Sequence, residues 1–593
     1  MNSRNKFDVV TFEVIRNTMS QISDSMGATM ARVAFSPVIK EGYDYSSGLL
    51  TADSRLLAHG RNDEPVHIGA LGPTAKVVME DYGDDINKGD AFIMNNAYRA
   101  GTHLNDIACL KPIFYEDELV MWASNRGHHS DVGGAVPGSL NPLATEVYQE
   151  GVIIDPIRFV SKGTWDSHVV KLLLNNMRVP WEKEADFRAQ ISALNYAEEE
   201  LVKLFQQYGK EVMFEAFEEM IAYSERVMKK FIKEELRDGV YEFEDYCDQD
   251  PAHPNKKPVR FHGKVTVEGD QMTVDFSDTD PAPISGVGMP VWPTISSVHV
   301  ALINFFPVPY NDGISNSVRV ITKPGTACHV LHPTAFSGFA AGAYEKTTSI
   351  MYHTLSEACP QRAVGMQYNL VNLTIGGRDP RYNGRPYIAY LYQQAGWGAR
   401  VNKDGPPPAS GAYFAQGRNM PLEVLERHYP NLFLKWETPR DSCGHGKFRG
   451  GMGNMWEWIS NGERGKLSIL GDRHKFTPWG LWGGTNGGNN GVVVNSDTPN
   501  EVELGVYATG VDLHPGDHII YWAGGGGGIG DPLERDPQAV LEDVMDEYIS
   551  YKVAQDVYGV IINIVDEETL DYRIDWEATN QKREEIKRGR ESK

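Results

Sequence analysis

Between about Lys183 and Leu236 the apolar residues Ile191, Leu194, Leu201, Leu204 and Phe205, then Met213, Phe217, Ile221 and Phe231, recur at helical spacing among Glu and Lys. That period lines one face of a helix and predicts two or three helices, with a break near Tyr208-Gly209. On either side the pattern changes. From Val240 to Phe276 the residues alternate, in Tyr241–Tyr246, Val265–Glu268 and Met272–Phe276, with a Glu268-Gly269-Asp270 turn suited to a hairpin. Upstream, Phe12, Ile15, Met19, Ile22 and Met26 predict a first helix that ends before Ser36-Pro37. Short apolar runs then follow to about Val136, at Gly48–Thr51, Ala91–Asn95, Ile107–Leu110 and Leu119–Ala123, and read as strands. A helical block between β-rich flanks is an α+β arrangement. The division it suggests is an α/β region at 1–180, the helical block at 181–237, a β-rich region at 238–440 and a glycine-rich β region with a helical tail at 441–593.

The 593 residues are 41% hydrophobic and 23% charged, enough for several cores. Lys plus Arg number 57 against 80 Asp plus Glu, a net charge of −23, which argues against nucleic acid or anionic membrane as a partner. In the tail from Gln581, Lys and Arg mix with Glu as on a solvated helix. Cys109, Cys247, Cys328, Cys359 and Cys443 are odd in number and lack a CxxC, against both a disulfide framework and a thiolate zinc site. With no signal-peptide core near Met1 and no run of 18 apolar residues, the expected location is cytoplasmic. Gly525–Gly530 satisfies GxGxxG by letter, but Asp531-Pro532 stands where a helix would have to propagate. No Walker loop occurs either, since Gly465-Lys466 runs into Leu467.

The chemistry-bearing residues concentrate in two stretches, Thr102-His103-Leu104-Asn105-Asp106 and Gly127-His128-His129-Ser130-Asp131-Val132-Gly133-Gly134. Up to three imidazoles and two carboxylates within reach of one point suit a borderline divalent cation such as Zn²⁺ or Mn²⁺.

Several segments in order resemble the hydantoinase B family: Asp8–Asn17, Asp44–Gly48, Gly101–Asp106, His128–Gly134 with Pro137-Gly138-Ser139, Tyr148–Gly151, Arg449–Gly453 and Gly525–Pro532. The resemblance implies the B-type subunit of a heteromeric enzyme, a heterotetramer or larger. An A-type partner binds ATP with Mg²⁺ and phosphorylates a carbonyl oxygen; the B-type subunit holds a metal and completes the reaction. For hydantoin, oxoproline or lactam substrates that reaction is ring-amide hydrolysis. For ketones of the acetone or acetophenone type it is carboxylation.

The resemblance also implies Asp44 as a ligand beside His103 and His128, with Asp106 a fourth ligand or the carboxylate that orients an imidazole. His129 and Asp131 are candidate supporting catalytic groups, one of which should face the other way if the segment is extended. His67 either lines the pocket or is structural. Arg99, after Asn96 and Tyr98, is a candidate to neutralise a phosphorylated intermediate, against the plainer reading of a surface ion pair. Trp292, Tyr310, Tyr344, Tyr390 and Trp397 are candidates to shape a substrate pocket or to fill the core. In the expected mechanism the cation lowers the pKa of a water that attacks the activated carbonyl. The contrasting readings are a non-catalytic scaffold with a closed structural metal and a stand-alone amidohydrolase needing no ATP.

Overall fold

Asp8 starts the first helix, its carboxylate accepting from the Thr11 N–H, and Val9–Val33 follows with Phe12, Ile15, Met19, Ile22 and Met26 buried as a single stripe. The computed structural model describes residues 8–414, 417–566, 569 and 571–591. The predicted helical block is Pro180–Glu235, broken at Gly209, whose φ of 76° and ψ of 159° no helix accommodates. Its Pro180 occupies the first turn, where the missing N–H costs nothing.

These helices pack on one face of a seven-stranded antiparallel sheet. Its strands are β1 (Tyr45–Thr51), β2 (Leu56–His59), β3 (Ala91–Met94), β4 (Asp106–Tyr115), β5 (Glu118–His128), β6 (Ile157–Ser161) and β7 (Thr164–Trp165), in the order β2-β1-β5-β4-β3-β6-β7. Alternation sorts the side chains into two cores. Ile107, Cys109, Met121 and Ala123 join the helices, while Leu50, Ala108, Leu110 and Trp122 turn to the rest of the chain. Both faces are therefore covered over the middle of the sheet, where polar residues such as Ser124 and Asn125 are buried.

The predicted hairpin forms between Val259–Glu268 and Gln271–Asp275, with Gly269 at φ 62°, inside a four-stranded sheet with Gly239–Cys247 and a parallel Val318–Ile321. Two more sheets mix strands from both sides of residue 440. Asn372–Asp379 and Arg385–Tyr392 pair with Glu463–Leu470 and Tyr507–Leu513, and Asn431–Glu437 edges a sheet completed by Asn454–Ser460 and later strands. The chain closes on the helix Trp576–Glu591. All five cysteines are free and buried, and no helix among the described residues is long and apolar enough to cross a membrane.

The glycine-rich runs interlock. Gly525, Gly526, Gly527 and Gly528 donate in turn to the carbonyls of Ser442, Gly451, Met366 and Thr485 at 2.8–3.0 Å. A Cβ on Gly526 would overlap the Trp397 carbonyl, and one on Gly528 that of His445. Four loops thus pack main chain against main chain, a distance only glycine permits. The segment leads into a single 3-10 turn, Pro532–Glu534, and opens no phosphate-binding helix.

Candidate metal centre

Three adjacent strands bring the predicted ligands together. In the register of β4 and β5, Asp106 stands opposite His128, and in that of β1 and β5, Tyr45 stands opposite Gly127. Asp44 therefore lies beside His128, whose N–H donates to the Asp44 carbonyl at 3.0 Å. Neighbouring strands run roughly 4.8 Å apart, so Asp44, His128 and Asp106 form a row on one face. His103 enters from the turn before β4, where the Asp106 N–H donates to its carbonyl at 3.1 Å.

The atoms converge tightly. Asp106 Oδ1 lies 2.9 Å from His128 Nδ1 and 3.0 Å from His103 Nε2, and the two nitrogens are 3.2 Å apart. These three residues offer ligand atoms all within 4.8 Å of one another. Asp44 Oδ2 stands 3.8 Å from His128 Nδ1. His67, from the short helix Pro65–Ile68, completes the ring: its Nε2 is 3.2 Å from Asp106 Oδ2 and 3.9 Å from Asp44 Oδ1, and its Nδ1 is 3.3 Å from the Ser46 hydroxyl. None of the five is more than 5% exposed. Tyr390 stacks on His128 with ring centres 4.7 Å apart, and Phe339 meets His103 edge-on at 5.1 Å.

The electrostatics are those of a site short of positive charge. Burial, then the charge of Asp106, pushes Asp44 well above the usual carboxylate range. Glu64, which precedes the His67 helix, is driven up by burial and by Asp44, Asp63 and Asp106, and neither of its buried oxygens has a hydrogen-bond partner. Burial opposes charge on Asp106 too, but the imidazoles of His103 and His67, with hydrogen bonds from His103 and His128, hold it well below its ordinary value. Burial lowers His128 to about 4, leaving its imidazole neutral and able to ligate. His103 Nε2, His128 Nδ1 and Asp106 Oδ1 all face one another, and protons cannot satisfy every contact among them. A divalent cation fits this donor set.

Not every candidate joins the cluster. His129, one residue beyond His128, faces the helical block, with its Nε2 3.2 Å from Gln190 Oε1 and its ring against Phe187. Asp131 accepts from the N–H groups of Gly133, Gly138 and Arg178 and from the Arg178 guanidinium at 2.8–3.0 Å, tying down a loop in which Gly133 and Gly134 adopt φ of 94° and 78°. Arg99 forms a two-pronged ion pair with Asp81 at 2.6 Å and sits 3.6 Å from Asp155, so the surface-pair reading describes it. Of the five aromatics, Tyr390 reaches the cluster. Tyr310 and Tyr344 are buried core residues near His299 and Phe339, Trp292 donates to the Arg99 carbonyl, and Trp397 is held in the glycine-packed region.

Sequence reasoning missed Glu64 and Arg126. Arg126 lies two residues before His128 on the same face of β5; it donates to Thr102 and Thr74, and burial lowers it to about 10. The two-residue alternation of a strand was the available signal for Arg126. Glu64 carried none, being a loop residue before a proline.

Comparison with known proteins covers nearly the whole chain. The family model described as hydantoinase B/oxoprolinase matches residues 8–532. An uncharacterised protein of Methanocaldococcus jannaschii is 33% identical over 97% of this chain and all of its own length. The caprolactamase subunit beta of Pseudomonas jessenii is 30% identical over 94% of this chain and 97% of its own. The crystal structure of the ATP-dependent caprolactamase from that organism superposes with a TM-score of 0.89 at 28% identity, over 98% of this chain and 100% of that one. A nucleotide-free acetone carboxylase shares the fold, with a TM-score of 0.92 at 20% identity over 99% and 84% of the two chains.

Proposed function

The chain belongs to the hydantoinase B/oxoprolinase family, and from that premise we propose that it is the metal-holding B-type subunit of an ATP-dependent enzyme that opens a cyclic amide. The observation that carries this reading is the buried convergence of His103, Asp106 and His128 in a chain related along nearly its whole length to a caprolactamase subunit. A stand-alone amidohydrolase is the weaker reading, because that relative is named a subunit and its structure an ATP-dependent enzyme. An A-type partner supplies the ATP chemistry.

His103 Nε2, Asp106 Oδ1 and His128 Nδ1 are the atoms that would hold the cation, with Asp44 the nearest further carboxylate. Zn²⁺ and Mn²⁺ suit such ligands. When bound, a divalent ion supplies Lewis acidity toward a carbonyl oxygen and a water of lowered pKa. The chain's own residues provide the rest. His67, 3.2 Å from Asp106, constrains that carboxylate, as does the Thr102 hydroxyl that donates to it. The rings of Tyr390 and Phe339 hold the two imidazoles and keep bulk water from them. Four carboxylates, Asp44, Asp63, Glu64 and Asp106, share this buried region with Arg126, an excess of negative charge that supports a bound cation.

The test is co-purification with the A-type subunit and measurement of ATP turnover with 5-oxoproline, N-methylhydantoin, caprolactam, acetone and acetophenone. A cyclic amide should stimulate phosphate release and be opened. Stimulation by ketones alone would replace hydrolysis with carboxylation, and ring opening by the isolated chain without ATP would remove the partner from the scheme.

A further inference from the structure

Away from the cluster, a cavity of about 380 Å³ lies between the end of the helix Val291–Phe305, the Pro360–Arg362 turn and the Trp397–Asn402 segment. Its size falls among small-molecule pockets, roughly 300–1,000 Å³. In a chain with 80 acidic residues against 57 basic ones, this lining holds no carboxylate. It holds two arginines instead. Arg362 is locked in place: its Nε and Nη2 pair with Glu235, its Nη1 donates to the Phe305 carbonyl at 3.1 Å, and its guanidinium lies over the rings of Phe306 and Phe231. Arg400 makes no side-chain ion pair or hydrogen bond with any described residue. Its backbone is nonetheless fixed, because Ala399 donates to Gly527 and Arg400 to Lys403, on the edge of the interlocked glycine loops.

A partly buried arginine on a cavity wall that holds no carboxylate is a receptor for an anion. The other walls specify more. Trp397 and Tyr352 offer aromatic surface, and Asn304 and Gln361, whose amide nitrogens each donate once within the protein, to the Tyr352 hydroxyl and the Glu235 carbonyl, keep a second N–H and a carbonyl oxygen to offer. The absence of a lining carboxylate disfavours a ligand that also carries an ammonium group. We propose that this cavity binds a small planar anion, a ring or base carrying a carboxylate or phosphate, with Arg400 as its charge partner. The site shares no residue with the metal cluster and stands independently of the reaction assigned there.

The full chain would be titrated calorimetrically with adenosine monophosphate, benzoate, adenosine and inorganic phosphate. The same titrations would be run on Arg400→Gln and on Arg464→Gln, an exposed arginine at a separate surface. Wild type should bind adenosine monophosphate or benzoate more tightly than adenosine or phosphate, and whichever of the two binds identifies the anionic group. Arg400→Gln should weaken that binding about tenfold or more, with an unchanged melting temperature, while Arg464→Gln leaves it intact. Arg400→Lys should recover part of the loss. Failure of wild type to bind either ring anion, or equal binding by Arg400→Gln, would overturn the assignment.

Discussion

Asp106 and His128 face each other as a registered pair across β4 and β5, with Oδ1 and Nδ1 2.9 Å apart at the strand ends where His103 also arrives. The register fixes the pair, so the site is set by strand pairing before any ion binds. Asp106→Asn keeps the shape and removes the charge. We expect the purified variant to retain metal at least about tenfold more weakly after dialysis against buffered free Zn²⁺ or Mn²⁺, in line with losses of roughly 10–100-fold when groups around a metal are altered. Elemental analysis reads this directly. Full metal retention by a folded Asp106→Asn would remove Asp106 from the ligands.

Much of this was legible in the sequence. The buried stripe from Phe12 to Met26, the break at Gly209 and the turn at Gly269 all follow from periodicity and from the backbone freedom of glycine. The His103, Asp106 and His128 convergence was readable because two short segments carried it. Asp44 needed the family resemblance, since only the pairing of β1 with β5 brings it beside His128. Arg99 and Asp131 were candidates by proximity in sequence, and the partners that engage them could not be read there: Asp81 for the first, Arg178 and the Gly138 amide for the second. The sharing of sheets across residue 440 was invisible because strand partners lie up to about a hundred residues apart and leave no local trace.

Asp131 separates structural from metal roles. Its carboxylate collects four hydrogen bonds within the loop that follows the cluster, one of them from Arg178, whose side chain is 36% exposed. Asp131→Asn removes the charge and turns one acceptor oxygen into a donor. A loss of about 2–4 kcal/mol is expected, the exposed side of Arg178 trimming the coulombic share. Denaturant unfolding should show that loss while metal content per folded chain stays at the wild-type level. Loss of metal with unchanged stability would instead give Asp131 a place at the ion.

Arg99 offers the complementary case. Its pair with Asp81 is a third exposed on each side, the kind of contact worth about 0–1 kcal/mol. Arg99→Ala should melt close to wild type, and the assembled enzyme should keep its substrate-stimulated ATP turnover within about threefold, since the guanidinium is already engaged. A fall of a hundredfold would restore it as a phosphate-binding group.

His299 allows a clean pH test, being buried in the helix Val291–Phe305 with its pKa lowered to about 4 by burial alone. The unfolded chain takes this proton near pH 6.5, before the folded chain does. The stability from keeping it neutral is therefore complete above that pH and drains away as pH falls from about 6.5 toward 4. By pH 5 the loss is about 2 kcal/mol. Unfolding free energies measured at pH 7, 6 and 5 should fall less steeply in His299→Gln than in wild type, whatever the variant's offset at pH 7. Parallel curves would mean that His299 does not titrate differently on unfolding.

The interlocked glycines give the sharpest contrast between space and backbone conformation. Gly526 has no room for a Cβ, because the carbonyl group of Trp397 occupies the position and the Trp397 carbonyl is itself bonded to Gly451 at 2.7 Å. Main chain cannot rotate aside as a side chain would, so Gly526→Ala should cost more than about 4 kcal/mol and yield little soluble protein. Gly510 is the converse, with φ at 61° and nothing within 4 Å of a Cβ. Alanine there meets only the left-handed backbone penalty, about 1–2 kcal/mol. Expression, solubility and melting temperature of the two variants side by side decide the point: similar behaviour of both would mean that the glycine loops yield to a methyl group and that their close approach is not what holds them together.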